Sequence, residues 1–299
     1  MNQEELLKEY TIIENRISEV VDFFATHKEE KPYKQFYKGI STLQSPLIYK
    51  PDILFVGINN GDGEYKEAMN NNKPIPVNAC LDGNEPPKEI NWFKGGNARG
   101  RFRKPKEWVS HNWYQRDKKV NNQFPKNMID LLFEIAKLKY PEANHNYDNI
   151  SVPFWHDEFG ENIMYTNLYP VSTTDTKGLK KVHQALAKEA TLKDLWKTSQ
   201  GDEKAINEWV VRKYFISSIN HLVKLIEPKV IVCMGMAALN DFTYTVHKGK
   251  EIVRTERTFD EKKIPVVGFS RKGSWNSRIP KIAKVIAPFL VPNQVSSTI

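Results

Sequence analysis

The sequence predicts an α/β fold, a three-layer α/β/α sandwich in which helices cover both faces of a mostly parallel central sheet. Short, continuous apolar runs that suit strands buried on both faces alternate with longer stretches in which apolar residues recur at helical spacing. The chain has 299 residues, of which 40% are hydrophobic, so it is long enough to bury one large core or two modest ones. Because neither an internal repeat nor a linker interrupts the alternation, we interpret residues 1–299 as a single domain.

The first half of the chain contributes a helix, a strand and a long insertion. Apolar residues at helical spacing over 3–27 predict an amphipathic helix within the N-terminal segment 1–30, and the run ILFVG at 53–57 predicts the first strand. Residues 69–160 are interpreted as a loop-rich insertion, because their first part is rich in Asn, Pro, Gly, Lys and Arg and has no sustained period. Helical spacing over 128–138 predicts one helix inside it.

The second half continues the alternation of strands and helices. Its predicted elements are a strand at 162–168, helices at 179–189 and 205–227, the clearest strand at 229–235, a helix from about Ala237, a last strand at 264–269 and a closing helix from Ile279 to Leu290.

The composition excludes several classes of protein. No segment approaches the roughly 18 consecutive apolar residues of a membrane-spanning helix, and the acidic, polar N-terminus does not resemble a secretory signal. Cys80 and Cys233 are too few for a disulfide scaffold, a four-cysteine zinc site or an iron–sulfur cluster, and the segment 155–158 (WHDE) has no second His or Cys at ligand spacing. We therefore expect a protein of the reducing cytoplasm without a bound metal. The net charge of +8 is compatible with a polyanionic partner.

Three polar segments follow predicted strands, where an open parallel sheet forms its ligand crevice. They are 57–65 (GINNGDGEY), 166–172 (TNLYPVS) and 270–278 (SRKGSWNSR). Each is also compatible with ordinary turn chemistry, since Gly and Asn end strands for steric reasons alone. The first segment has neither the P-loop spacing nor GxGxxG, so it does not predict a cradle for nucleotide phosphates.

The order of these segments resembles the uracil-DNA glycosylase superfamily, and within it the mismatch-specific and single-strand-selective branches, whose first motif reads GxNPG. The segments that carry the resemblance are GINNG, YTNLYP, EPKVIVCMGMAAL and SRKGSWNSR, which follow one another in the order of the family. The resemblance implies a uracil-DNA glycosylase-like fold. It leaves out the N-terminal helix and most of the insertion.

The resemblance also implies roles for individual residues. Asn59 matches the asparagine that positions the attacking water, and Gly57, Ile58 and Asn60 match backbone that lines the base pocket. Asn167 matches an asparagine that hydrogen-bonds the pyrimidine edge. These residue types suit the chemistry, because cleavage of an N-glycosidic bond needs a placed water and hydrogen-bond donors aimed at the departing base. A carboxamide has no useful pKa, so Asn59 orients water without acting as a general base.

Two segments are expected to contact DNA. In the 270–278 loop, the resemblance places Ser274 near a phosphate and Trp275 or Asn276 where a wedge would enter the duplex, and the cationic residues Arg271, Lys272 and Arg278 would extend that surface. The segment 92–106 has six cationic residues and no acidic one, interleaved with Gly and aromatic residues. It is either a solvated face or a phosphate-binding surface, and we favour the second. The residues in question are Arg99, Arg101, Arg103 and Lys104.

The sequence departs from the family pattern at two places. Asn60 replaces the usual proline, and the last motif lacks the HPS or NPS run, so the histidine that stabilises the departing base in many branches has no counterpart. Together with the long insertion, these departures favour a base other than uracil.

The sequence thus predicts a monofunctional DNA glycosylase that hydrolyses the N-glycosidic bond of a flipped-out base and leaves an abasic site. The expected base is a modified or bulky pyrimidine, such as a hypermodified cytosine of phage DNA in antiphage defence. The expected partner is duplex or single-stranded DNA, with no cofactor, no membrane and no obligate protein partner. The alternatives are a uracil-DNA glycosylase of base excision repair, a catalytically inactive nucleic-acid-binding module of the same fold, and an unrelated doubly wound transferase whose GINNGDG loop holds a small nucleotide.

Overall fold

A five-stranded sheet forms the centre of the computed structural model, which describes residues 1–40, 43, 47–59, 123–139, 141, 162–173, 175–273 and 275–290. The strands in chain order are β1 (Tyr37–Ile40), β2 (Ile53–Gly57), β3 (Ile163–Asn167), β4 (Val171–Thr173), β5 (Val230–Cys233), β6 (Ile252–Phe259) and β7 (Lys262–Phe269). The central sheet has the order β3-β2-β5-β7-β6, in which only β6 runs antiparallel to its neighbour. β1 and β4 pair separately as a small antiparallel sheet. The predicted α/β fold with a mostly parallel sheet is confirmed.

Helices cover both faces of the central sheet. In chain order they are α1 (Gln3–Asn15), α2 (Ser18–His27), α3 (Tyr33–Phe36), α4 (Gln123–Lys139), α5 (Thr176–Leu186), α6 (Lys193–Lys197), α7 (Glu208–Ile226), α8 (Met236–Thr243) and α9 (Ile279–Ile286), with short 3₁₀ turns at Ala190–Leu192, Trp275–Arg278 and Ala287–Phe289.

Successive residues of each strand point to opposite faces and pack into two separate cores. In β2, Leu54 and Val56 pack with side chains of α1, α2, α5, α7 and α8, whereas Ile53 and Phe55 pack with side chains of α4 and α9. All five residues of β2 are buried, which explains why its sequence reads as one continuous apolar run.

The strand order predicts a crevice between two neighbouring strands. From β2 the chain passes to β3 on one side, and from β5 it passes to β7 on the other side, so the direction of winding reverses between β2 and β5. In open parallel sheets, ligands bind beyond the carboxyl ends of the strands at this reversal. The residues that follow β2 and β5 therefore border the place where a site is expected.

The amino-terminal edge of the sheet is tied together by a buried carboxylate. Asp52 precedes β2 and forms ion pairs with Lys139 at the end of α4 and with Lys229 before β5, the latter at 2.6 Å. Asp52 and Lys139 are both largely excluded from solvent. The pair fixes α4 to the sheet at the end opposite the crevice.

The N-terminal helix predicted over 3–27 is two helices. The chain turns at Arg16 and Ile17, where the Arg16 carbonyl accepts a hydrogen bond from the Tyr214 hydroxyl of α7 and the Ile17 side chain is buried in the core. A tertiary contact thus replaces a helical hydrogen bond, and helical spacing alone does not reveal such a break.

Strand β6 was not predicted, and its neighbour begins earlier than predicted. In β6 the exposed residues Arg254, Glu256 and Thr258 alternate with more buried ones, so its sequence is half polar and lacks an apolar run.

The other edge strand of the central sheet is β3. There, Leu43 forms an antiparallel bridge with Thr166.

The predicted insertion at 69–160 lies mostly outside the described residues, and α4 is the part that the structure describes. This helix confirms the one predicted at about 128–138. Within the described ranges, no helix is both long and apolar enough to cross a membrane.

Candidate functional site

Two predicted site residues meet directly at the crevice. Gly57 ends β2 and lies opposite Asn167, the last residue of β3, in the parallel register. A β-carbon on Gly57 would lie 2.2 Å from Asn167 Oδ1 and 2.9 Å from the Tyr165 hydroxyl. Only glycine lets the Asn167 amide and the Tyr165 phenol lie against the backbone of β2 at this point. The contact therefore explains why the strand ends in glycine.

The floor of the crevice is buried and rigid. Asn167 exposes only 2% of its surface, and its neighbours in the chain are held by hydrogen bonds from Leu168 N–H to the Gly57 carbonyl and from Tyr169 N–H to the Ile58 carbonyl. Burial raises the pKa of Tyr165 to about 12, and the positive charge of Arg271 opposes this rise. The Tyr165 hydroxyl is therefore protonated at neutral pH and is a hydrogen-bond donor at the crevice.

The Asn59 amide has a fixed orientation. Its Nδ2 donates to Thr173 Oγ1 at 2.9 Å, and the Thr173 hydroxyl donates to the Asp175 carbonyl at 2.8 Å. A hydroxyl has one proton, so Thr173 can only accept from Asn59, and the NH₂ group must face it. The Asn59 Oδ1 acceptor consequently points to a different side of the amide.

Asp175 has a structural role at the start of α5. Its carboxylate accepts a hydrogen bond from Gly178 N–H at 2.6 Å and so caps α5. Because the Asp175 carbonyl also binds Thr173, the start of α5 is coupled to Asn59.

A cationic side chain covers the other border of the crevice. Gly235 follows β5 with a φ of 125°, a conformation that side chains rarely adopt, and it begins α8. A β-carbon there would lie 3.5 Å from Cδ of Arg271, so the Arg271 stem passes over the Gly235 backbone. The guanidinium also influences the Tyr165 phenol across the crevice. Arg271 thus brings positive charge to the same place as Tyr165 and Asn167.

The rest of the 270–278 loop is only partly as expected. Lys272 is exposed, and its carbonyl accepts a hydrogen bond from Arg278, which also contacts Glu251 at 3.4 Å. Asn276 is exposed and its Oδ1 accepts a hydrogen bond from Asn127 Nδ2 at 3.1 Å. Ser274 lies outside the described residues.

The expectation that Trp275 enters the duplex is corrected by its position. Trp275 is 5% exposed and packs against Phe269, with ring centroids 5.1 Å apart, in the core formed with α4 and α9. Burial of the large Trp275 ring stabilises the fold. The ring is therefore not available on the outside of the protein. Of the two wedge candidates, Asn276 is the one that reaches solvent.

Several predicted residues lie outside the described part of the chain. They are Asn60 and the segment 155–158, together with Arg99, Arg101, Arg103 and Lys104 of the basic segment.

A polar cluster surrounds Tyr169, which lies two residues after Asn167 in the chain. The Tyr169 hydroxyl donates to Asp241 Oδ2 at 2.7 Å, and Arg212 contacts the same oxygen at 3.2 Å. Burial and the Asp241 carboxylate raise the pKa of Tyr169, which keeps the phenol protonated as a donor. His183 packs edge-on against Tyr169, with ring centroids 4.9 Å apart.

His183 is the unusual member of this cluster. It is completely buried, and neither ring nitrogen has a hydrogen-bond partner among the described residues. Burial lowers the pKa of His183 to about 3, and the Arg212 charge adds to this effect. The ring is therefore a neutral, aromatic part of the core at physiological pH.

Sequence reasoning missed Tyr165 and Thr173. The alternation of a strand places Tyr165 on the same face as Asn167, so the pattern contained a signal for it. Thr173 carried no such signal, because its link to Asn59 joins positions 114 residues apart in the chain.

The described residues contain no group of three or more His, Cys, Asp or Glu side chains that could hold a metal ion. No protein-family model matches the chain, and no curated protein matches it significantly. The described side chains at the crevice supply two amides, a phenol and a guanidinium.

Proposed function

We propose that this protein is a monofunctional DNA glycosylase that hydrolyses the N-glycosidic bond of a flipped-out pyrimidine. The observation that carries the proposal is the presence of Asn59 and Asn167 at the ends of adjacent parallel strands, with the Asn59 amide turned by Thr173. Such a site offers an acceptor for water and polar groups for a base.

The order of the motifs supports a uracil-DNA glycosylase-like fold. The segments GINNG, YTNLYP and SRKGSWNSR follow or end β2, β3 and β7, and EPKVIVCMGMAAL contains β5. Each motif thus accompanies one of the four parallel strands, and their carboxyl ends meet at one edge of the sheet. A resemblance between motif sequences alone would not require this common location.

In the proposed reaction, the bond between C1′ of the sugar and the base nitrogen breaks and its electron pair leaves with the base. Water held by Asn59 Oδ1 attacks C1′, loses a proton to solvent and leaves an abasic sugar. The departing base carries negative charge until it takes up a proton. Arg271 and the Tyr165 hydroxyl supply the positive charge and the donor that stabilise this charge in place of the histidine that the motif lacks.

The depth of Asn167 supports base flipping. An amide that is 2% exposed cannot bind a base that stays stacked in the duplex. A pyrimidine that rotates out of the helix can enter the crevice and present its edge to Asn167, whose amide has both donor and acceptor groups. We propose a modified or bulky pyrimidine as the substrate, and uracil is the alternative base.

The test measures abasic sites in matched duplexes that differ in one base: uracil, cytosine or a cytosine with a bulky polar 5-substituent. Release from the substituted duplex faster than from the uracil duplex supports the full proposal. Release of uracil alone would support the glycosylase activity but refute a modified or bulky pyrimidine as the substrate. DNA binding without release of any base identifies an inactive binding module instead.

Variants of the Asn59 linkage connect the activity to this site. Asn59→Ala should abolish release while DNA binding persists, because the residue positions water. Thr173→Val should lower the single-turnover rate by roughly 2- to 10-fold, the value of one hydrogen bond, and Thr173→Ser should restore it. Asn15→Ala is the matched control, because this exposed asparagine lies at the end of α1. Equal activity of Asn59→Ala and the wild type would refute the assignment.

A further inference from the structure

Helix α5 carries a row of lysines on its outer face. Lys177, Lys180 and Lys181 are exposed, and the exposed Lys188 follows the last turn. At ~100° per residue, Lys177, Lys180 and Lys181 fall within an arc of about 100°, and Lys188 lies just beyond the end of the helix. The opposite face of the helix packs into the core through Leu179, Val182, His183 and Leu186. The row is therefore a surface feature with a fixed backbone beneath it.

The described residues do not neutralise this row. None of the four lysines lies within ion-pair distance of a carboxylate in the part of the chain that the structure describes. The two nearest acidic residues in sequence have other partners: Asp175 caps the helix, and Glu189 accepts a hydrogen bond from the Tyr33 hydroxyl at 2.6 Å. Elsewhere, exposed lysines such as Lys224 and Lys262 do pair with carboxylates.

One lysine is held in place by an aromatic ring. Lys181 Nζ lies 4.7 Å from the centroid of the Phe36 ring, in α3. This cation–π contact orients the ammonium group without removing its charge. The row thus keeps its positive charge, and the position of the Lys181 ammonium group is restrained.

The row starts at the candidate site. Lys177 is two residues beyond Asp175, whose carbonyl holds the Thr173 hydroxyl that orients Asn59. From Lys177 to Lys188 the row extends about 16 Å along the helix axis, at ~1.5 Å per residue. One strand of B-DNA advances by ~3.4 Å per phosphate, so this length corresponds to about five phosphates.

We propose that the α5 lysine row is a phosphate-binding track along which a DNA strand leaves the base pocket. The inference rests on the proposed function for the substrate class, and it adds a contact surface that the basic segment and the 270–278 loop do not include. The row would hold the strand that carries the flipped nucleotide by its backbone, without reading its sequence.

The composition of the row favours nucleic acid over an anionic membrane. A helix that lies on a membrane inserts an apolar face between the lipids. The apolar face of α5 is buried in the protein core, and Gln184 lies among the exposed lysines. A partner of α5 can therefore contact only its exposed polar and charged side chains, which suit the phosphates of a nucleic-acid backbone.

The experiment measures binding to duplex DNA as a function of salt. The test variant carries Lys177→Gln, Lys180→Gln, Lys181→Gln and Lys188→Gln. The control carries Lys8→Gln, Lys224→Gln, Lys262→Gln and Lys263→Gln, with the same change in net charge. The control lysines lie on α1, near the end of α7 and at the start of β7. Thermal unfolding verifies that both variants fold.

We expect the row variant to lower the slope of log affinity against log salt by about 3 to 4, at ~0.9 per lost phosphate contact on duplex DNA. The control should change this slope by less than ~0.9, the value of one phosphate contact. An unchanged slope in the row variant overturns the inference, even where the wild type excises bases. A lowered slope in a protein that excises no base supports the row and refutes the proposed function. Loss of binding to phosphatidylserine vesicles, with DNA binding intact, would assign the row to membranes and overturn the inference.

Discussion

The buried histidine beside the crevice makes the stability of this protein depend on pH in a defined window. In the unfolded chain His183 titrates near its ordinary value of 6.5, whereas burial lowers its pKa in the fold to about 3. Between these two values the unfolded state binds more protons, so acid favours unfolding. The stabilising contribution is complete above pH 6.5 and disappears progressively as the pH falls toward 3.

The size of the effect follows from the pKa difference. Each pKa unit corresponds to ~1.4 kcal/mol, so the full loss at low pH is on the order of 5 kcal/mol. Between pH 7 and pH 5 the loss due to His183 is about 2 kcal/mol. His183→Leu removes the titrating group from its buried site against the rings of Tyr169 and Phe215. We therefore expect the free energy of unfolding of this variant to depend less on pH.

Urea denaturation at pH 7, 6 and 5 measures this dependence. The difference between wild type and His183→Leu should change by about 2 kcal/mol over this range, with the wild type losing more stability. His221→Gln is the control, because His221 is exposed on α7 and keeps its contact with water after folding. Parallel pH dependence of the wild type and His183→Leu would refute the reasoning.

Three further substitutions test contacts described above. Gly57→Ala should displace the Asn167 amide, which lies 2.2 Å from the new β-carbon, and abolish base release in the abasic-site assay more strongly than it weakens DNA binding. Asp52→Ala should lower the free energy of unfolding by roughly 3 kcal/mol or more, because Lys139 keeps a largely buried charge without its partner; Asp22→Ala, which removes an exposed carboxylate of α2, is the control in urea denaturation. Trp275→Ala should cost about 3 to 5 kcal/mol and Trp275→Phe much less, and a stable Trp275→Ala protein that fails only in DNA binding would restore the wedge interpretation.

The parallel strands could be predicted because burial on both faces produces continuous apolar runs, as in ILFVG of β2. The same principle predicted the crevice, since residues that follow parallel strands must share one edge of the sheet. Gly57 and Asn167 come together for this reason alone. Their pairing follows from the register of β2 and β3, whereas the close approach of the Asn167 amide also requires glycine at position 57.

The remaining features depend on contacts that no local pattern encodes. Whether Trp275 is buried depends on the space left between α4 and α9, and the break after α1 depends on a hydroxyl of α7. The orientation of Asn59 likewise depends on Thr173, which lies in a strand of the small second sheet. Sequence reasoning identifies such residues by type, but their pairing requires the folded chain.

The two edges of the central sheet differ in how they avoid unwanted pairing with other molecules. An open edge strand with free N–H and C=O groups can recruit strands from another chain and start aggregation. At the β3 edge, the bridge from Leu43 to Thr166 occupies part of the backbone of a strand whose side chains are all buried. At the β6 edge, Arg254 and Glu256 put opposite charges on the exposed positions, which an incoming apolar strand cannot match. The polar residues that prevented the prediction of β6 thus allow this strand to form a solvent-exposed edge of the sheet.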